Sequence, residues 1–364
     1  MSAGSGLMRR RALLRVIGAG LAGSAMVRPG FAGSPAIIAD QDGGSRARYN
    51  ILVGGPHGGR MDRWARASAL GMRTALSAHA PIQLRTVGGQ DGVTGANRLQ
   101  TLVVPNGQTA AILPGEASIA FLAGDPRVHF QPGDWIQVMA GLSAALLILR
   151  GGLGRLSESA PIRLAAASPE SPDLAALLAF QRLGASVVPI FGLRGAAAVA
   201  RAFAAGEADA VLLTGEEIPA DAAPLAAEGG IPVGTLGIAG ESGDIVRDPL
   251  FPHLPTIHEI ADNRGAPGLS QPLDQAYRAV AAASRIDFML VLPHLTTSAK
   301  VAIWRQAAVA AVASPALQSA AAASAISLTA DGGAASALAP LDLPSGALLA
   351  LREFMFQRLG WRPS

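Results

Sequence analysis

Cysteine is absent from this 364-residue chain. Its absence excludes disulfides, thiolate metal sites, a cysteine nucleophile and an N-terminal lipid-modified cysteine. Lysine is nearly absent too, with Lys300 alone among many arginines, and aromatic residues make up only 4%. A core so poor in large rings must be filled by alanine, glycine and branched aliphatics, which favours close packing of helices on sheets. Long apolar runs are also missing. Val138–Leu149 is apolar over about 12 residues, short of the ~20 that span a bilayer, and reads as one buried helix or strand. The alanine-rich stretch 307–325 is broken by Pro315 and Gln318. No stable membrane insertion is expected.

The formal charge of +3 is not a property of the whole chain. Residues 1–32 hold Arg9, Arg10, Arg11, Arg15 and Arg28 and no acid, which leaves 24 Lys and Arg against 26 Asp and Glu in the remainder, about −2. No basic patch is left that would suit nucleic acid. The six histidines are scattered without ligand spacing, and His258-Glu259 lacks the second histidine of a zinc helix. There is no G-x-S-x-G elbow and no phosphate-binding G-x-x-x-x-G-K-[ST] loop. No catalytic residue, metal site or cofactor is therefore assigned, and the chain is read as a non-enzyme.

The N-terminus has the layout of an export signal. Arg9–Arg15 is a charged region, Val16–Val27 a modestly apolar one, and Arg28-Pro29-Gly30-Phe31-Ala32 a small-residue cleavage zone. Arg10-Arg11-Ala12-Leu13-Leu14-Arg15 resembles a twin-arginine motif. Residues 1–32 are read as the signal peptide and 33–45 as a lead-in, with cleavage after Ala32 or Ala36 and a periplasmic destination. An alternative is a flavin or nicotinamide oxidoreductase, because Gly18-Ala19-Gly20-Leu21-Ala22-Gly23 satisfies G-x-G-x-x-G. A dinucleotide fold needs several helical turns after those glycines, and Pro29-Gly30 stops a helix soon after Val27.

Beyond the leader, strands alternate with helices. Tyr49–Val53 reads as a strand, followed by Gly54-Gly55-Pro56-His57-Gly58-Gly59 and a helix in which Asp62 is an N-terminal residue. Ile82–Val87 is a strand followed by the loop Gly88–Gly95 and a helix from Ala96. Thr109–Leu113, Ile162–Ala167, Val187–Ile190, Ala210–Thr214, Pro232–Ile238 and Ile286–Leu292 are further strands. Helices are expected over Asp173–Leu183, Gly195–Ala205, Ser298–Val312 and Pro344–Arg358, and an irregular stretch over Pro249–Pro267. The alternation implies βαβ units and an α/β fold. Open sheets of this kind bind ligands at the carboxyl ends of their strands, where the Gly-rich loops fall.

Six segments, in order over about 240 residues, resemble the Bug family, the periplasmic solute-binding proteins of tripartite tricarboxylate transporters. They are Val53–Arg66, Gly89-Gln90-Asp91-Gly92-Val93-Thr94-Gly95-Ala96, Pro105-Asn106-Gly107-Gln108-Thr109, Pro189–Gly195 with Ala205-Gly206-Glu207-Ala208-Asp209, Leu254-Pro255-Thr256-Ile257-His258-Glu259, and Phe288–Thr296. The resemblance implies a two-lobed clamshell, mainly parallel sheets flanked by helices, and two crossovers. Lobe 1 would comprise 46–149 plus 286–364, and lobe 2 would comprise 150–285. It also implies a monomeric receptor that holds a small organic acid between the lobes and hands it to membrane permease subunits or, alternatively, signals to a sensor kinase.

On that resemblance the ligand is expected to meet Gly58, Gly59, Arg60 and Asp62 at the first loop, and Gly89, Gln90, Asp91, Gly92 and Thr94 at the second. Ser168 and Ser171 would supply hydroxyls from lobe 2, with Gly192, Gly195 and Thr214 completing that wall. Two loops depart from the family pattern. Gln90 and Asp91 interrupt the second loop, and Ala167-Ser168-Pro169-Glu170-Ser171-Pro172 stands where a Gly/Ser-rich anion loop is usual. A desolvated carboxylate opposes an anionic ligand, so either Asp91 and Glu170 point away or the ligand carries a neutral or positive group.

Overall fold

The computed structural model describes residues 49–76, 82–240 and 244–362. The signal peptide expected over 1–32, the lead-in expected up to 45 and the glycine run 18–23 lie outside the described residues. In chain order the strands are β1 (Asn50–Val53), β2 (Gln83–Thr86), β3 (Thr109–Leu113), β4 (Ile136–Leu142), β5 (Ala145–Arg150), β6 (Ile162–Ala165), β7 (Val187–Ile190), β8 (Ala210–Thr214), β9 (Gly230–Thr235), a short hairpin β10 (Ile238–Ala239) and β11 (Ile245–Val246), β12 (Ile286–Leu292) and β13 (Ser327–Ala330). The helices are α1 (Arg60–Leu76), α2 (Val93–Leu102), α3 (Gly115–Ala123), α4 (Leu174–Arg182), α5 (Ala196–Ala204), α6 (Ile218–Ala227), α7 (Ile257–Asn263), α8 (Gln271–Arg285), α9 (Ser298–Val312), α10 (Pro315–Ala323), α11 (Gly332–Leu338) and α12 (Ser345–Leu359).

Two sheets carry the α/β fold. One has the order β13-β4-β12-β3-β1-β2, the other β7-β6-β8-β5-β9. Both are mixed, which corrects the expectation of mainly parallel sheets. β2, β1 and β3 are mutually parallel, as are β7, β6 and β8, but β12, β13 and β5 run against their neighbours. The reversed strands are the ones that carry or flank the connections between the sheets. Both edges of the second sheet are blunted by proline, Pro189 in β7 and Pro232 in β9, which cannot donate to a further strand.

The chain passes from the first sheet to the second at Ser143-Ala144. Val138–Leu149, expected as one element inside lobe 1, is therefore two strands in two sheets, and β5 belongs to the second lobe. Both strands are apolar and mostly buried, so apolarity alone could not show the break; Ser143 is its one polar mark. The return is at Arg285–Ile286, where α8 runs into β12. The two crossovers are bonded to each other. Ser143 donates its amide to the carbonyl of Arg285 at 2.8 Å and its hydroxyl at 3.3 Å.

Helix α8 joins the lobes as well. It packs on α3 and α12 of the first and on α4 of the second, and one apolar core runs through all of them, from Leu52 and Leu113 through Ile119, Tyr277 and Val280 to Leu178 and Leu147. On the opposite face of the first sheet a separate core gathers Tyr49, Trp64, Phe288 and Trp304, with Trp64 and Phe288 4.7 Å apart. The irregular stretch expected over 249–267 contains α7, opened by a capping box between Thr256 and Glu259. That S/T-x-x-E signature stands in the sequence.

α3 begins where backbone meets backbone. A Cβ at Gly115 would lie 2.1 Å from the Ala283 carbonyl oxygen and 2.7 Å from that of Ile286, so α3 can sit on the last turn of α8 only because this residue has no side chain. Gly115→Ala is expected to destabilise the protein by about 1–3 kcal/mol, read as a lowered urea midpoint. An unchanged midpoint would mean that α3 and α8 are not held this closely.

Candidate functional site

β5 begins at the first crossover and is antiparallel to β8, so Thr214 at the end of β8 pairs with Ala145. The parallel strands β6 and β7 end on the same side. In the first sheet β4 ends at the crossover, and β1, β2 and β3 run parallel to it. The carboxyl ends of both sets of strands thus face one another across the crossovers, as the topology of an open-sheet ligand site requires.

Arg60 and Arg63, on the first turn of α1, span this gap. Arg60 binds Glu116 at 2.8 and 3.1 Å through Nη2 and Asp287 at 3.2 Å through Nη1. Its guanidinium also lies against lobe 2, since a Cβ on Gly215 would be 3.6 Å from Nη1. Arg63 reaches across to Glu216 at 2.6 Å. Gly215 in turn donates its amide to the Ser143 hydroxyl at 2.9 Å. The ion pairs therefore connect α1, the start of α3, the start of β12, the end of β8 and the hinge. Two arginines face three carboxylates, Glu116, Asp287 and Glu216. Asp287 is completely buried. Burial is the largest influence on it; Arg60 opposes that, Glu216 and Glu116 add to it, and the carboxyl is pushed up to about 6.

Arg60, expected as a free anchor for an anion, is instead neutralised within the protein. Asp62, expected at the ligand-contacting lip, is buried and turned inward. Its Oδ2 accepts from the Gly58 amide at 2.8 Å and from Arg66 at 3.1 Å. Burial raises its pKa, but the Gly58 amide and Arg66 outweigh this and hold it below the ordinary range. The Gly58 amide is thereby occupied too. Gly58 is exposed and Gly59 half-buried in this loop.

In the second loop Asp91 points away from the cleft. It caps Val93 at 3.2 Å and pairs with Arg127 at 2.8 Å. Gly92 is fixed by packing, because a Cβ there would meet Pro114 at 2.5 Å. Gly89, Gln90 and Thr94 are exposed. On lobe 2, Ser171 is committed to its own turn. Its hydroxyl lies 2.7 Å from the Ser168 carbonyl and 2.8 Å from Asp173, whose carboxylate also takes the Ala167 amide at 2.9 Å. An internal carboxylate thus fills the donors of the loop expected to hold an anion. Glu170 keeps one buried oxygen without a hydrogen-bond partner among the described residues. Gly192, at φ 94°, ties its loop to Ala167 at 3.2 Å, and Gly195, at φ 77°, precedes α5; both are exposed.

Arg63, Ser143, Glu116, Gly215, Glu216 and Asp287 were not among the sequence-derived candidates. Signals existed for three of them. Glu116 and Glu216 follow glycines directly after strands, the position already used to choose the other loops. Asp287 is the one charge in an apolar strand of seven residues.

Solved structures share this architecture. A TctC solute-binding protein from Polaromonas aligns with a TM-score of 0.60 at 17% identity, over 85% of this chain and 98% of that one. The periplasmic binding protein BugD aligns with 0.51 at 17% identity over 85% and 97%, and an R. palustris protein with adipate with 0.51 at 16% identity over 86% and 97%. The fold is that of the TctC- and Bug-type solute-binding proteins. No family model and no curated protein matches the sequence. The two-lobed fold is what the chain shares with these structures, while the ion pairs between Arg60, Arg63 and their three acids are read from this chain alone. Among the described residues no group of three or more His, Asp or Glu could hold a metal ion, and no single helix is long and apolar enough to cross a membrane.

Asp287 gives the site a pH signature. Its folded pKa near 6 lies above its ordinary value of 3.8, so the folded state binds the proton more tightly than the unfolded one. Its contribution to stability is then present below pH 4 and is lost as the pH rises through 6. The stability of the wild type relative to Asp287→Asn should fall across pH 4–6 and level off above it, as read from urea midpoints. A difference that is flat from pH 4 to 7 would contradict the buried, acid-surrounded state.

Proposed function

We propose that this chain is a periplasmic solute-binding receptor of the Bug family. It captures a small organic acid between its lobes, without turnover, and delivers it to the permease subunits of a tripartite tricarboxylate-type transporter. The observation that carries this reading is the pair of hydrogen-bonded crossovers with strand-end loops of two lobes facing each other across them. Such an arrangement makes binding a shift between open and closed lobes. The export-type N-terminus and the six-segment resemblance support the compartment and the family.

The ligand is narrowed by charge. Free carboxylates at Arg60 compete with Glu116 and Asp287, and the Asp173 carboxylate already occupies the lobe 2 turn. A ligand with two or three negative charges meets repulsion that this cleft does not offset. A monocarboxylate that also carries a hydrogen-bond donor, an amino or hydroxyl group, can place its acid on Arg63 or Arg60 and its donor on Glu216 or Glu116. In a thermal-shift screen such acids at ~100 times their dissociation constant should raise Tm by about 3–5 °C. Tricarboxylates should give none. A larger shift with tricarboxylates than with amino or hydroxy acids would overturn the charge argument. A shift with dinucleotides alone would overturn the receptor.

A further inference from the structure

Strands β4, β12 and β5 connect the lobes, and they divide the molecule into two sides. β3, β1 and β2 with β8, β6 and β7 lie on the side of the cleft; β13 and β9 lie on the other. On that other side, behind the hinge, is a second cavity of about 760 Å³. Its wall comes from both lobes and from both crossovers, with Leu142 at the end of β4, Leu236 and Ile238 after β9, Ala281 and Arg285 on α8, and Leu343 before α12. The volume is within the ~300–1,000 Å³ of small-molecule sites, and the lining has their usual character, apolar with a few polar groups.

One of those groups is unfinished. Arg285 is 7% exposed, and its Nη2 binds Asp248 at 2.7 Å. Its Nε is buried with no hydrogen-bond partner among the described residues. A buried charged donor left without an acceptor is costly; Arg285 lines the cavity, and a bound carbonyl oxygen that displaces the wall beside Nε would satisfy it. The charge around the cavity specifies which kind of oxygen. Arg285 is paired with Asp248, Arg278 shares Asp274 with Arg182, which also lies 3.8 Å from Asp262, and Asp342 adds a further negative charge to the lining, so the carboxylates outnumber the guanidinium groups. An anion is disfavoured there.

We propose that this cavity is a second ligand site, taking a small uncharged molecule with an apolar body and a carbonyl oxygen that accepts from Arg285. The site is placed to act on the hinge. The carbonyl of Arg285 is the acceptor of Ser143 at the other crossover, and walls drawn from both lobes must separate or approach when the lobes rotate. The inference does not depend on what binds in the front cleft.

Nile red, uncharged, apolar and bearing a carbonyl, is the probe. Titrated with the full chain, it should bind saturably at one site with blue-shifted emission. Ala282→Phe and Ser336→Trp each place a large side chain in the cavity and should weaken binding by at least about tenfold, with melting curves confirming that each variant is folded. If one variant fails to fold, the other carries the test. 2-Octanone should displace the probe at concentrations at least about tenfold lower than octanoate. The proposal is overturned by non-saturable or absent binding, by a folded filled-cavity variant that binds as the wild type does, or by octanoate competing as well as the ketone.

Discussion

Two strands of chain pass between the lobes, and one residue ties them together. Ser143 gives its amide and hydroxyl to the carbonyl of Arg285, and its hydroxyl oxygen receives the amide of Gly215 from the loop that carries Glu216. A double connection fixes an axis where a single one would leave a swivel, so rotation about it is the motion the architecture permits. The rest of the molecule follows from that axis. Strand ends converge in front of it, α8 packs behind it with a core common to both lobes, and the reversed strands β12 and β5 exist because the chain has to leave one sheet and return.

The same axis sets the electrostatics. Asp287 is the second residue of the strand that follows the second crossover, so its carboxylate is buried close to the hinge. Arg60 compensates it, and in doing so is withdrawn from the role of free anion anchor. Arg63 and Glu216 then form the link across the front. Exposed ion pairs contribute little stability; here Glu216 is mostly covered and Arg63 is not, so the link is better suited to adjusting the balance between lobe positions than to holding the fold. A ligand that replaced this pair would have to supply both its charges, as the proposed donor-bearing monocarboxylate does.

Much of this was legible in the sequence. The alternation of strands and helices and the placement of Gly-rich loops at strand ends rest on local patterns with short-range causes, while the two lobes were implied by the six-segment resemblance. What was missed depends on where each side chain points, which residue type and order do not state. Asp62, Asp91 and Ser171 have the residue types of ligand contacts, yet each is satisfied by a neighbour within the protein: the Gly58 amide and Arg66, Arg127, and Asp173. Sequence position cannot tell a carboxylate that faces a cleft from one that caps a helix. The break in 138–149 was hidden for a similar reason, because β4 and β5 are both buried and a change of sheet leaves the hydropathy unaltered. Asp287 was readable, as a charge in an otherwise apolar strand, and α7 was readable from its capping box.

Rotation of the lobes about the bonded crossovers, restrained by the link between Arg63 and Glu216, is the motion the proposed receptor would use. A chain without cysteine allows this to be measured directly. Spin labels at Gln90→Cys on lobe 1 and Arg194→Cys on lobe 2, both at exposed loop positions, report the separation across the front by pulsed electron resonance. Glu216→Gln should move the distribution towards longer distances, and the ligand found by thermal shift should move it towards shorter ones. A single distribution, unchanged by the substitution and by the ligand, would contradict that motion.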